Sequence, residues 1–472
     1  MRAKAAASST SFLCLALAFF IYAVAARRIV YPNLLNAQIS ELRRGLERGD
    51  WTSVDLVRAY LARIDEVNHK GPKLNAVTEI ASTALRQARE ADAARARGKV
   101  KGNLHGIPLL IKDNIGTDIE LGMNTTAGSY ALLGAVSLGD SYVAANLRAA
   151  GALLIGKASM SVWAYYCGSN LTEGWSPRGG FVTSAWYAGA SACSSSAGSG
   201  VIASIGLAAA TLGTETDGSI MCPSNFNGVV GLKPTVASER QQGIVPLAAS
   251  QDSPGPIVNS VSNAAEVLTA MLGGSTDYTQ ALKRHGLKGA RIGVLRGVFS
   301  NYSYQDFDPS VVGLYDRALD VLASQDAVLV NASVPSVDSG EYVNNTGETT
   351  VLNFELKAGM RLYLHKLKKV PTGVRSLRDL IAFANAHPAL ELPGKENTQD
   401  EFEAAEATNG LRNATYLAAK KANRRLGAEE GIDAALKKYN VEALVAPTSS
   451  FLYSVAAIVG YPALSVPMGY MR

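Results

Sequence analysis

Strand-like apolar runs alternate with helical patterns along the middle of this chain. Between about residues 100 and 270, short apolar runs are separated by stretches whose apolar positions recur every three or four residues. From about residue 300 to 430 the pattern is mainly helical and polar. The alternation predicts an α/β fold in which helices sandwich a large mixed β-sheet.

A helix is predicted to lead into this alternation. It begins near Thr52, a residue type that caps helix N-termini. Its apolar face would consist of Val54, Leu56, Val57, Tyr60, Leu61 and Ile64. We expect this helix to lie across the core.

The N-terminal 26 residues have the pattern of a secretory signal peptide. Arg2 and Lys4 precede an apolar run over residues 12–26, which is shorter than the roughly 20 residues of a membrane span. Residues 23–25 have the small-x-small form of a cleavage site. We therefore expect a secreted protein without stable membrane association after cleavage, with one domain over residues 27–472. An uncleaved anchor bounded by Arg27 and Arg28 is the alternative.

Six sequons are compatible with passage through the secretory route and with a glycoprotein. They begin at Asn124, Asn170, Asn301, Asn331, Asn344 and Asn413. Because Asn124 lies beside the segment Thr125–Ser129, we expect it to be too enclosed to carry a glycan.

The charge and the histidines argue against two kinds of binding site, for nucleic acid and for metal. The net charge of +5 is mild and no basic run of nucleic-acid type occurs, since the cluster over residues 366–369 is expected on a solvated helix face; both argue against a nucleic-acid partner. Five scattered histidines lack ligand spacing, so no metal site is predicted.

Removal of Cys14 with the signal would leave Cys167, Cys193 and Cys222, an odd number. We expect buried free thiols, with a Cys193–Cys222 bridge as the alternative.

Two hydroxyls lie on small-residue turns that the fold can bring together. Ser195 opens the turn 195–199, and Ser219 lies in the turn 213–220. A helix of about nine residues would run out over roughly 13 Å. An apolar strand of four or five residues would return over roughly 15 Å. The two serines can thus finish at the same end, a candidate site for nucleophilic catalysis.

A lysine supplies the base that a serine nucleophile needs. Lys112 ends the apolar run 107–111, which is bounded by Gly106 and by Asp113 in the pattern of a buried strand. Strand alternation places Lys112 and Asp113 on opposite faces. An ammonium there would lose solvation, which lowers its pKa and favours the neutral amine of a general base.

The order, spacing and flanks of these motifs resemble the amidase signature family, over about residues 35 to 470. The matching segments are 106–114, 125–129, 156–161, 195–199, 213–223, 228–235, 251–256, 446–448 and 460–463. The resemblance implies the amidase signature fold and a hydrolase of carboxylic acid amides that needs no cofactor. It also implies a small-molecule amide substrate and a monomer or homodimer.

The resemblance assigns a role to each candidate residue. Lys112 would be the base, Ser195 the bridging hydroxyl on a cis peptide bond, and Ser219 the nucleophile that carries the acyl group. Backbone N–H groups of Thr216, Asp217, Gly218 and Ser219 would hold the oxyanion.

Three features depart from the family's commonest pattern. Ser194 stands where glycine is usual, so we expect backbone strain if that position requires a positive φ. Asp217 brings a carboxylate that would hinder an oxyanion unless it points away. The chain ends at Arg472, where relatives run on, so the C-terminal part of the domain is expected to be truncated.

Three interpretations therefore stand side by side. The first is a secreted amidase with a Ser-Ser-Lys triad. The second is an inactive or truncated derivative of the fold, suggested by Ser194 and the short C-terminus. The third is a glutaminase subunit of an amidotransferase, against which the signal pattern counts.

Overall fold

The computed structural model describes residues 31–297, 310–450 and 452–469. The predicted signal peptide over residues 1–26, with Cys14, lies outside the described residues, as does the sequon at Asn301.

The β-strands of the described residues fall into one large sheet, one small sheet and a short hairpin. They are β1 Val77–Ile80, β2 Pro108–Lys112, β3 Leu153–Ala158, β4 Trp175–Ser176, β5 Gly180–Phe181, β6 Ala210–Glu215, β7 Val230–Lys233, β8 Ser253–Val258, β9 Arg291–Leu295, β10 Val328–Ala332, β11 Ala443–Val445 and β12 Ala463–Ser465.

The large sheet is mixed and has the order β1-β3-β2-β6-β8-β7-β12. Its centre is parallel, because β2 runs parallel to both β3 and β6. Strands β8 and β12 are antiparallel to their neighbours, and so is β1 at the other edge. Strand β2 is buried along its whole length, which explains its continuous apolar sequence. The predicted α/β class with a large mixed sheet is confirmed.

Helices pack on and around this sheet. They are α1 Ile39–Arg48, α2 Ser53–Val67, α3 Ala84–Ala96, α4 Tyr142–Ala149, α5 Ala197–Ile205, α6 Met221–Phe226, α7 Val261–Met271, α8 Ser310–Ser324, α9 Pro335–Asp338, α10 Gly347–Lys366, α11 Leu377–Ala386, α12 Pro388–Glu391, α13 Asp400–Glu406, α14 Ala414–Arg424, α15 Asp433–Tyr439 and α16 Leu452–Ala457. Helix α5 contacts β2, β3, β6 and β8, while α7 contacts β7 and β8.

The predicted lead-in helix is confirmed as α2. The side chain of Thr52 accepts a hydrogen bond from the Asp55 N–H, and the Asp55 carboxylate accepts one from the Thr52 N–H. This capping box fixes the start of the helix. Along the predicted apolar face Leu56, Val57, Tyr60 and Ile64 are buried, whereas Val54 and Leu61 are partly buried.

A second sheet was not predicted. Strand β9 lies between β10 and β11 and is parallel to both. Each of these strands has five residues or fewer, and β10 has no fully buried position. Such strands carry neither a long apolar run nor a clear alternation, which are the signals that mark a strand in sequence.

The mainly helical character predicted for residues 300–430 is confirmed where that stretch is described, because helices α8 to α14 lie there. Throughout the described ranges every helix is too short or too polar to cross a membrane.

Candidate active site

Lys112 is the last residue of β2 and is fully buried. Its Nζ lies 2.7 Å from Ser195 Oγ and 3.1 Å from the carbonyl oxygen of Thr214. Burial lowers the pKa of Lys112 to about 7, against the opposing charges of Glu215 and Asp252. A large fraction of this lysine is therefore a neutral amine near pH 7, which can accept a proton.

Ser195 lies in the loop that leads into α5. The neighbouring Ser196 holds this loop to β6, because its Oγ donates to the Thr214 carbonyl at 3.1 Å and accepts from the Thr214 N–H at 3.3 Å. The Ser194–Ser195 peptide bond is cis. Thr214 thus anchors both the Lys112 amine and the loop that carries Ser195.

The expected strain at Ser194 does not arise. The positive φ of this loop falls one residue earlier, at Cys193, where φ is 64°. Glu173 supports the loop, since its carboxylate accepts hydrogen bonds from Ser191 Oγ at 2.6 Å and from the Ser194 N–H at 3.2 Å. No sequence signal would have identified Glu173, because it approaches this loop only in the folded chain.

Ser219 lies in the turn between β6 and α6 and is 8% exposed. Glu215 shapes the end of this turn, because its carboxylate accepts hydrogen bonds from the N–H groups of Ile220 at 2.6 Å and Met221 at 2.8 Å. Gly218 has φ 74°, and a Cβ atom there would lie 2.8 Å from Tyr453 Cε2. Only glycine therefore fits directly before Ser219 without displacement.

The two predicted serines meet at one point. Ser195 Oγ lies 2.9 Å from Ser219 Oγ, although the residues are 24 positions apart. Helix α5 and strand β6 form the predicted outward helix and returning strand. The structure thus brings the amine of Lys112 and both hydroxyls into one continuous hydrogen-bonded chain.

Thr216, Asp217 and Gly218 lie in the turn directly before Ser219. Thr216 is held by its side chain, whose Oγ1 donates to Asp252 at 2.6 Å. The Asp217 carboxylate points away toward α16, where Ser454 Oγ donates to it at 2.9 Å. Asp217 is therefore turned in the direction that the sequence analysis required of it.

A second buried pair of charges supports the end of β2, and the sequence analysis missed its role. Asp113 accepts hydrogen bonds from Thr126 Oγ1 and from the Gly128 N–H, so it is paired apart from Lys112 as predicted. Lys157, fully buried in β3, donates to Thr125 Oγ1 at 2.9 Å. Burial lowers the pKa of Lys157 to about 8, while Asp113 opposes that shift. Both groups fix the segment 125–129 against the lysine strand.

The expectation of free thiols near the serines is wrong. Cys193 and Cys222 form a disulfide with a Cα–Cα distance of 5.9 Å. The disulfide links the loop before Ser195 to helix α6 after Ser219. The fold that brings the two serine hydroxyls close together thus also brings the two sulfur atoms within bonding distance. Cys167 is buried and free of a disulfide.

Two adjoining cavities lie near this site. Both are lined by Asn114, Ala164, Val245 and Pro246. One continues past the polar residues Thr214, Thr216 and Asp252. The other has an apolar wall formed by Met160, Trp163, Leu356, Met360 and Phe402. Helices α10 and α13 therefore supply part of the wall.

Metal-ligand clusters are absent from the part of the chain that the structure describes: His, Cys, Asp and Glu side chains form no group there that could hold an ion. His105 is buried and its Nε2 lies 3.0 Å from the Ala91 carbonyl oxygen, a structural contact away from the serines.

Comparisons with known proteins cover most of the chain. The family model described as Amidase matches residues 55–470. A protein named as an amidase from Arthroderma benhamiae is 34% identical over 475 residues, covering 93% of this chain and 78% of that protein. A subunit of the glutamyl-tRNA(Gln) amidotransferase from Thermosynechococcus vestitus is 37% identical over 309 residues, which is 63% of this chain and 61% of that protein.

A solved structure is similar along nearly the whole chain. The peptide amidase from Stenotrophomonas maltophilia superposes with a TM-score of 0.83 at 39% identity. The match covers 92% of this chain and 91% of that enzyme.

Proposed function

This chain belongs to the amidase family and hydrolyses carbon–nitrogen bonds of amides, and we propose that it does so through a triad of Lys112, Ser195 and Ser219. The observation that carries the proposal is the chain of contacts from the Lys112 amine through Ser195 Oγ to Ser219 Oγ, at 2.7 Å and 2.9 Å. A hydroxyl can donate one hydrogen bond while it accepts another, so Ser195 can pass a proton in either direction.

Acylation begins with the neutral form of Lys112. The amine takes a proton from Ser195, which takes one from Ser219 as its oxygen attacks the amide carbonyl carbon. The proton then returns along the same path to the leaving nitrogen, because an amine departs readily only as a neutral molecule. Water, activated by the same amine, hydrolyses the resulting ester on Ser219.

The turn before Ser219 would hold the negative oxygen of the tetrahedral intermediate. The backbone N–H groups of Thr216, Asp217, Gly218 and Ser219 are the proposed donors. Losing one such donor costs about 10²- to 10³-fold in kcat. The packing of Gly218 against Tyr453 holds this turn in place before substrate binds.

The apolar cavity suggests the substrate class. Met160, Trp163 and Phe402 offer a hydrophobic wall in a cavity that adjoins the one lined by Thr216. We propose that the acyl portion of the amide is apolar and packs there. Since the similar solved enzyme is named a peptide amidase, amides of short peptides that end in apolar residues are the first substrates to test.

The inactive interpretation is weakened by the geometry of the serine loop. Its positive φ falls at Cys193, and Ser195 reaches both partners. The glutaminase interpretation is less favoured because the match to the amidotransferase protein covers only 63% of this chain. Copurification of further subunits with the expressed protein would revive that interpretation.

We also propose that the protein is secreted after removal of residues 1–26. The Cys193–Cys222 disulfide supports this, because disulfides persist in oxidising compartments. Asn170, Asn331 and Asn344 have exposed positions for glycans. Asn124 suits a glycan less well, since it is partly buried and both ends of its amide are engaged: Nδ2 donates to Glu79 at 2.9 Å, and Oδ1 accepts from the Gly134 N–H at 3.0 Å.

Intact mass spectrometry of secreted protein treated with a fluorophosphonate tests these proposals. We expect an N-terminus near Arg27 and one adduct on the wild-type chain. We expect no adduct and no amide hydrolysis for Ser219→Ala, because the attacking oxygen is removed.

Ser224→Ala is the matched control. Ser224 is buried five residues after Ser219, and its Oγ has no hydrogen-bond partner among the described residues. We expect this variant to be labelled and to turn over like the wild type. Retained turnover in Ser219→Ala would rule out the proposed nucleophile.

A further inference from the structure

Asp217 faces a second carboxyl group. Its side chain is hydrogen-bonded to that of Glu348, and Ser454 Oγ donates to the same aspartate at 2.9 Å. The Glu348 carboxylate in turn accepts a hydrogen bond from Gln251 Nε2 at 2.7 Å. Asp217 belongs to the turn that carries Ser219, whereas Glu348 belongs to α10. The contact therefore joins the catalytic turn to the helix that also walls the apolar cavity.

Two carboxyl groups in direct hydrogen-bond contact must share a proton, since two carboxylates would repel each other. Burial raises the pKa of both groups, and the charge of Glu348 raises the pKa of Asp217 further. The pair therefore retains one proton well above the pH at which an exposed carboxyl ionises.

The position of Glu348 indicates which partner holds the proton. Glu348 lies in the first turn of α10, where the N–H groups of a helix stabilise negative charge. The Gln251 amide donates to Glu348 as well. Glu348 is therefore the ionised partner, and the proton lies on Asp217.

We propose that Glu348 is a positioning residue for amide hydrolysis: it shares one proton with Asp217 and so keeps the turn before Ser219 in place without a negative charge on Asp217. Although the Asp217 side chain points toward α16, a full negative charge on a buried group two residues from Ser219 would still oppose a developing oxyanion. This inference rests on the proposed role of Ser219 as the nucleophile.

Other charged and titratable groups face the pair from each side. Glu215 on β6 and Lys233 on β7 face Asp217, and their charges act in opposite directions. Tyr166 faces Glu348. Lys233 is held by its own hydrogen bond to the Tyr461 carbonyl. Burial is the largest influence on the pKa of both carboxyl groups, and for Asp217 the charge of Glu348 comes next.

The pH dependence of kcat/KM for a short peptide amide provides the test. For the wild type we expect a rise through about pH 7, from Lys112, and a separate fall at alkaline pH as the pair loses its proton. The fall should precede unfolding, monitored by circular dichroism in the same buffers. A wild-type profile that stays level up to the pH of unfolding would overturn the inference.

Two substitutions test whether Asp217 and Glu348 share a proton or only pack against each other. In Glu348→Gln, the new amide donates to Asp217 and favours its ionised form, so we expect kcat/KM at about pH 8 to fall about tenfold or more. In Asp217→Asn, the residue is neutral and donates to Glu348, so we expect a smaller loss. Neither variant has the shared proton, so the alkaline fall should disappear from both.

Glu266→Gln is the matched control, because Glu266 is a buried helix carboxylate that pairs instead with Arg43. The Glu266→Gln variant should retain both the rise of kcat/KM near pH 7 and its fall at alkaline pH. Equal losses in Glu348→Gln and Asp217→Asn with an unchanged alkaline limb would show a packing role and refute the inference. Turnover by Ser219→Ala would instead refute the proposed nucleophile, so the two failures are distinguishable.

Discussion

Among single residues, Lys112 shows how burial favours a neutral amine, the form that the proposed base requires. Lysine in water is protonated at neutral pH, but Lys112 is enclosed between two strands and a loop, and its pKa falls to about 7. Its remaining contacts are a hydroxyl and a backbone carbonyl, which orient the amine without requiring its charge. The balance between burial and two nearby carboxylates places the neutral form within reach at physiological pH.

The titration of Lys112 should determine how kcat/KM changes with pH on the acid side of the profile. Because the neutral amine is the proposed active form and the pKa is lowered to about 7, kcat/KM is expected to rise about tenfold per pH unit below 7 and to level off just above it. Steady-state rates with a peptide amide between about pH 5 and 8 would measure this limb.

Lys112→Ala provides the comparison. We expect acylation to fall by several orders of magnitude and the limb near pH 7 to vanish from any residual rate. A residual rate that keeps the same limb would assign the titration to another group.

At the scale of secondary-structure elements, the turn between β6 and α6 depends on its packing against α16. Gly218 combines a positive φ with close contact to the Tyr453 ring. The turn is thus held from outside, by an element more than two hundred residues later in the chain.

Gly218→Ala should reduce kcat/KM by about 10²-fold or more while the protein stays folded. The Cβ atom must displace either the ring or the proposed oxyanion donors, and alanine disfavours this φ. Kinetics and a thermal melt on the same preparation would measure both effects.

Gly189→Ala separates the effect of the Tyr453 contact from that of the backbone conformation. Gly189 also has a positive φ, of 78°, but its Cβ would meet no atom within 4 Å. We expect this variant to retain wild-type kinetics. Similar kinetic losses in both variants would contradict the role given to the Tyr453 contact.

The sequence predicted the elements that carry the chemistry better than those that support it. The lysine strand, the short helix α5 and the returning strand β6 have clear apolar runs and turn residues, so their existence and the meeting of the two serines followed from spacing alone. The small parallel sheet did not follow, because its strands are short and half-exposed. Nor did the Asp217–Glu348 contact, which joins distant parts of the chain that share no pattern.

For the molecule as a whole, the disulfide is the covalent connection around the site. It closes a loop with a sequence separation of 29 that contains Ser195, α5, β6 and Ser219. A cross-link of that length restricts the unfolded chain and is associated with a stabilisation of about 3–4 kcal/mol.

Removing this cross-link should therefore lower the free energy of unfolding by about 3–4 kcal/mol. We expect the double variant Cys193→Ala/Cys222→Ala and the wild type in reducing agent to show the same loss in urea titrations. Cys167→Ala, which changes a buried cysteine without a disulfide, serves as the control and should remain sensitive to reducing agent. A wild-type stability that reducing agent leaves unchanged would contradict this prediction.

Part of the apolar cavity wall comes from a stretch of the chain that carries none of the proposed reacting atoms. Lys112, Ser195 and Ser219 all precede residue 220, whereas Leu356, Met360 and Phe402 lie on later helices. If the cavity holds the acyl group as proposed, mutations in those later helices can alter which amide is accepted while the proposed proton path stays intact. Such a division favours evolutionary diversification, because a lineage can acquire new substrates by drift in one segment under relaxed constraint while purifying selection preserves the other.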